Sequence, residues 1–150
     1  MKKILSLVLA ALLLASALFT LASCSSSYGS IERRFKKEGY TVVDTSDSEG
    51  KNYLSFTSSL NKGEISGTVH VLKGGAVLNN TRAYAVIVEF GADKDAQDAM
   101  QKYLEDEDVK ILLKNVQQED CVNGNCILIP VMVSTNKEVL NTMIKTFKGK

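Results

Sequence analysis

Three cysteines and one histidine carry most of the reactive side-chain chemistry in this chain. Cys121 and Cys126 lie in the segment CVNGNC. Asn-Gly between apolar flanks is a strong hairpin signal, because both central residues of a type I′ turn need positive φ. A loop of Asn123-Gly124 sets Val122 opposite Asn125 and Cys121 opposite Cys126. Facing residues of that kind have Cα atoms about 4.5 Å apart, just inside the range of a disulfide. Closing so short a loop would contribute roughly 2 kcal/mol on a chain-entropy estimate. Free thiols are the alternative, and C-x4-C is not the C-x-x-C spacing of thioredoxin-like redox sites. His70 has no second histidine or nearby carboxylate cluster in sequence, so no metal site is expected. No G-x-S-x-G turn exposes a serine, and neither NKGEISG nor LKGGAVL is a phosphate loop. The run Glu105 to Asp108 lacks the alternate-residue spacing of a calcium loop and reads as the solvated end of a helix. No catalytic residue and no cofactor are expected.

Cys24 stands at a different kind of border. Lys2 and Lys3 precede an uncharged run from Ile4 to Leu21, and Leu21-Ala22-Ser23-Cys24 closes it. A basic start, an apolar middle and small residues at the exit are the marks of a secretory signal. The stretch Leu-Ala-Ser-Cys resembles the lipobox of bacterial lipoprotein precursors at all four positions. That resemblance covers residues 1–24 and implies thioether linkage of a diacylglyceryl group to Cys24, then cleavage between Ser23 and Cys24. Acylation of the new amino group, by palmitate or a similar chain, commonly follows in that family. Thiolate nucleophilicity is the reason such chemistry needs cysteine. One acyl chain holds a protein marginally and two or more hold it stably, at about 0.8 kcal/mol per buried methylene. The resemblance therefore implies a lipid-anchored domain outside the cytoplasm, on the cell membrane or the outer membrane. Ser25 in place of Asp would favour the outer membrane in a host that sorts lipoproteins as enteric bacteria do. Export would also permit the Cys121–Cys126 disulfide.

With residues 1–23 removed, 127 residues remain, enough for one domain. They hold 16 basic and 17 acidic side chains, a balance unlike the basic footprint of a nucleic-acid binder. Residues 24–30, ending in SSSYGS, read as a lipidated Ser-rich tether of at most about 25 Å. The domain is expected over 31–150.

Its elements follow from periodicity. IERRFKKEGY reads as a helix with Ser30 as cap, Ile31 and Phe35 inward and Gly39 at its end. Arg33, Arg34, Lys36 and Lys37 crowd the remaining surface and are candidates for contact with anionic headgroups, at about 1 kcal/mol each near a membrane. A solvated helix face is the plainer reading of the same charges. TVVDT reads as a strand, and KNYLSFTSSL as either a helix or a strand. EISGTVHVLK alternates as a half-buried strand, and RAYAVIVEF is apolar on both faces, as a central strand is. DKDAQDAMQKYLEDE is a helix with Asp93 as cap and Ala96, Ala99, Met100, Tyr103 and Leu104 inward. VKILL reads as a strand, and Pro130 places ILIPVMV at an edge or a bulge. A closing helix has a Thr135–Glu138 capping box, an apolar face of Val139, Leu140, Met143, Ile144 and Phe147, and Gly149 as its stop.

These elements predict an α+β domain: a small antiparallel sheet, helices mainly on one face, and a ferredoxin-like βαββαβ core with extra terminal helices. Fold alone assigns no activity. The expected function is a non-enzymatic binding or interaction module beside the membrane, whose partner is an envelope protein or another cell-surface component. A small-molecule-binding accessory of a transporter is the alternative, followed by an envelope hydrolase or thiol oxidoreductase.

Overall fold

Both faces of the strand Ala83–Glu89 are apolar, and each face finds its own cover. A computed structural model describes residues 27–46, 67–74, 83–132 and 136–150. In chain order these form α1 (Tyr28–Lys37), β1 (Tyr40–Val42), β2 (Thr68–Gly74), β3 (Ala83–Glu89), α2 (Asp93–Tyr103) and α3 (Glu107–Leu113). A 3-10 turn (Gln118–Cys121), β4 (Val122–Asn123), β5 (Cys126–Met132) and α4 (Lys137–Lys148) complete the chain. The domain is α+β, with a five-stranded sheet in the order β1-β2-β3-β5-β4 and every neighbouring pair antiparallel.

Alternation along β3 and β5 sorts the core into two layers. Val86, Val88, Ile127 and Ile129 pack with Ala96, Ala99, Met100 and Tyr103 of α2 and Val109 and Leu113 of α3. Ala85, Ile87, Cys126 and Leu128 point the other way, onto Ile31 and Phe35 of α1 and Val139, Met143 and Phe147 of α4. The helices are thus divided between the two faces rather than gathered mainly on one. A central strand apolar on both sides has to be covered on both. β3, the α2–α3 connection and β4 form a split βαβ unit, in which β5 lies between β3 and β4 and runs antiparallel to both, as in the ferredoxin-like pattern. The segment KNYLSFTSSL lies outside the described residues.

The apolar faces expected for α2 and α4 are the buried ones, and Gly39 and Gly149 end their helices with φ of 82° and 75°. Helix starts differ in detail. α1 begins at Tyr28 with Ser27 as its N-cap, and Ser30 donates its hydroxyl to the Ser27 carbonyl. Tyr28, Gly29 and Ser30, expected ahead of the domain, are therefore part of its first helix. Ala92, not Asp93, occupies the cap position of α2, leaving Asp93 and Asp95 in the first turn. At α4 the cap is Asn136, whose Oδ1 accepts from Glu138 N at 3.0 Å and Val139 N at 3.2 Å. Thr135 lies outside the described residues.

VKILL is helical, within α3, where a strand was expected. Asp106 Oδ1 accepts from Asp108 N and Val109 N, and Lys110 pairs with Glu107 at 2.7 Å. Val109 and Leu113, four apart, are its buried residues. A local cap and a helical stripe outweigh the β preference of so short an apolar run.

Pro130 faces Ala85 of β3. On its other side β4 reaches only as far as Ile127, so the proline occupies an edge position.

Candidate functional site

The hairpin at β4 and β5 is where the cysteines part company. Asn123 pairs with Cys126 and Val122 with Ile127, so the two-residue loop is Gly124-Asn125. Gly124 has φ 60°, as the first position of either primed turn requires. Two contacts account for this register. Asn125 donates its side-chain amide to the Phe90 carbonyl at 2.6 Å, while its own carbonyl accepts from Phe90 N at 2.8 Å. Asn123 turns its side chain to the Phe147 carbonyl at the end of α4, at 2.6 Å. Relative to an Asn123-Gly124 loop the turn is displaced by one residue, so Asn123 stands opposite Cys126 and Cys121 falls in the 3-10 turn ahead of β4. Cys121 lies in the α2–α3 layer and Cys126 in the α1–α4 layer, both as free, fully buried thiols. The two are not bonded to one another in this structure, and their disulfide stays an expectation of the exported reading. Burial pushes each thiol from 9.0 up to about 12, helped by Asp120 at Cys121 and by Glu89 and Asp93 at Cys126.

His70 is less isolated in space than in sequence. It stands beside β3, and its Nε2 lies 3.2 Å from Glu89 Oε2. The ring of Tyr28, at the start of α1, stacks on it with centroids 3.4 Å apart and planes 8° from parallel. Burial, then the charge of Glu32 and a hydrogen bond to it, push the Tyr28 phenol upward. Glu32 also pairs with Lys36 at 2.5 Å. Tyr28, His70 and Glu89 thereby fasten the first turn of α1 to the sheet. Glu89 was invisible as a partner because its approach depends on the β2–β3 register, and no local pattern reports that. Among the described residues no group of three or more His, Cys, Asp or Glu side chains could hold a metal ion.

Two clefts remain. One, of about 360 Å³, is lined by Asp93, Gln97, Gln101, Gln118 and Glu119 over Met100 and Val122. The other, of about 250 Å³, lies between the C-terminal ends of α1 and α4 and is lined by Arg34, Lys37, Glu38, Lys145, Thr146 and Lys150. Arg34 has a defined task there. Its Nε donates to the Thr146 carbonyl and its Nη2 to the Phe147 carbonyl, each at 2.8 Å, closing the end of α4. Lys148 reaches across to the carbonyls of Glu119 and Val122, each at 2.8 Å. Of the four cations singled out on α1, Arg33 and Lys37 are exposed, Lys36 is held by Glu32, and Arg34 is half-buried. Lys145 and Lys150 were not foreseen, although a basic last turn after an apolar stripe was the signal available.

Ser23 and Cys24 lie outside the described residues. Among those described, no helix is long and apolar enough to cross a membrane. No family model, no curated protein and no solved structure matches the chain.

Proposed function

We propose that this chain is a bacterial lipoprotein precursor whose mature domain is a non-enzymatic interaction module held close to the outer side of a membrane. The observation that carries this reading is the Leu21-Ala22-Ser23-Cys24 sequence followed almost at once by a packed helix. Residues 24–27, the whole interval before α1, can span at most about 14 Å. A domain on such a leash works within reach of headgroups and of membrane-proximal proteins. The chemistry of the buried thiols supports a binding role over a redox one, since a thiol raised to about 12 is almost wholly protonated at neutral pH. His70 supports it too, because one face of its ring is covered by Tyr28 and its Nε2 is engaged by Glu89.

Protease added to spheroplasts tests the placement. An exposed, tethered domain is degraded without lysis, and cross-linking before digestion recovers it with an envelope partner. A domain that resists until the membrane is broken contradicts the reading.

The cleft over Met100 supports the accessory, small-molecule-binding alternative. Its size is within the range of ligand pockets, about 300–1,000 Å³, and three glutamine amides beside two carboxylates suit a hydroxylated or amine-bearing molecule. Thermal stabilisation by such compounds would favour this reading; an unchanged midpoint across a broad panel would remove it.

A further inference from the structure

The two helical layers carry opposite charge. The segments 28–38 and 137–150, which contain α1 and α4, hold eight cations and three carboxylates. The segment 93–114, which contains α2 and α3 on the other face of the sheet, holds seven carboxylates and four lysines. A chain nearly neutral overall is therefore polarised across its sheet. The cationic layer is also the one entered directly from the N-terminal segment, through Tyr28.

Within that layer the cations differ in how they are used. Lys36 pairs with Glu32, and Lys148 donates to two carbonyls. Lys37 and Lys145 form no ion pair among the described residues, and they line the cleft with Arg34 and Lys150 against the single carboxylate of Glu38. Arg34 keeps N–H groups beyond those it donates to Thr146, Phe147 and Ser30. A guanidinium with ammonium groups around it in a concave site is suited to phosphate oxygens. From Tyr28 to Lys37 the helix is about 14 Å long, so a domain with α1 lying along the bilayer brings tether and cleft to the surface together.

We propose that the α1–α4 layer is a docking surface for an anionic bilayer, with lipid phosphate received between Arg34, Lys37, Lys145 and Lys150. It deepens the anchored reading and rests on it. The anchor supplies attachment; this surface supplies orientation, turning the acidic α2–α3 layer and its cleft away from the membrane.

The test uses the full chain in nanodiscs of phosphatidylcholine alone, or of equal parts phosphatidylcholine and phosphatidylglycerol, with a nitroxide on some headgroups. Docking predicts that the Lys37 and Gly149 amides lose severalfold more signal than Asp98 on α2, only in the anionic discs, and recover in high salt. Lys37→Glu with Lys145→Glu abolishes the difference while the chain stays on the disc and its other amides keep their positions; Lys37→Gln with Lys145→Gln weakens it. Equal broadening on both layers, or the same pattern in neutral discs, overturns the proposal. Short-chain phosphatidylglycerol added to the full chain in neutral detergent reads the cleft without the anchor, by shifts at Lys37 and Lys145. Absence of those shifts overturns the proposal, as do equal shifts with inorganic phosphate, which would make the cleft a phosphate site. A chain that shifts with the short lipid yet stays on neither disc supports the cleft and defeats the acyl anchor.

Discussion

Arg34 closes the end of α4 with two charge-assisted hydrogen bonds, and its removal should be felt there first. Arg34→Met keeps the apolar stem and leaves the Thr146 carbonyl without that donor, while Asn123 still serves Phe147. The expected loss is about 1–3 kcal/mol by urea denaturation, with Arg34→Lys in between. The thiols make a prediction in pH. Each has a folded-state value of about 12 against 9.0 when free, so the folded state resists losing the proton. Their contribution is complete below about pH 9 and fades as pH rises toward 12, because the unfolded chain ionises first. Thermal midpoints should fall over that window, and less steeply in a Cys121→Ala variant once its own cavity cost is subtracted. At neutral pH both thiols should resist iodoacetamide until denaturant is added, and both should then react without a reductant. An identical titration after reductant treatment is expected; a thiol count that rises only with reductant contradicts the free pair.

At the scale of elements, α3 is the sharpest case. If Asp106 caps it, Asp106→Ala lowers stability by about 1 kcal/mol, whereas an extended VKILL would be indifferent to that change. Urea midpoints with amide exchange along 107–113 distinguish the two. The helical faces of α2 and α4, the terminating glycines and the twice-buried β3 were legible because each is written in neighbouring residues. α3 was not, since Val109, Ile111 and Leu113 satisfy period two as readily as Val109 and Leu113 satisfy period four. The hairpin register was not legible either. Asn123-Gly124 is a good local turn, but Asn125 is tied to Phe90 and Asn123 to Phe147, partners more than twenty residues away in sequence. Tertiary bonds displaced a sound local turn by one residue, which set Asn123 in place of Cys121 opposite Cys126. The same distance hid Glu89 from His70. Because that pair sits under Tyr28, Glu89→Gln should loosen the first turn of α1, read as faster amide exchange from Ile31 to Arg34 with the strands unchanged.

For the whole molecule, the α+β class followed from counting apolar stripes, whereas the division of helices between two faces was missed, although a strand as apolar on both sides as β3 needs a cover on each. What the chain does follows from neither. The proposed role rests on a border of four residues ahead of the fold, with the charge asymmetry of the two helical layers as a separate, second argument. Growth with labelled fatty acid, for the native chain and for Cys24→Ser, asks the decisive question of that border. The account predicts label in the native protein, confined to the peptide that begins at Cys24, and none in the serine variant. A native chain without label, or a variant that still acquires it, would contradict the account at its root.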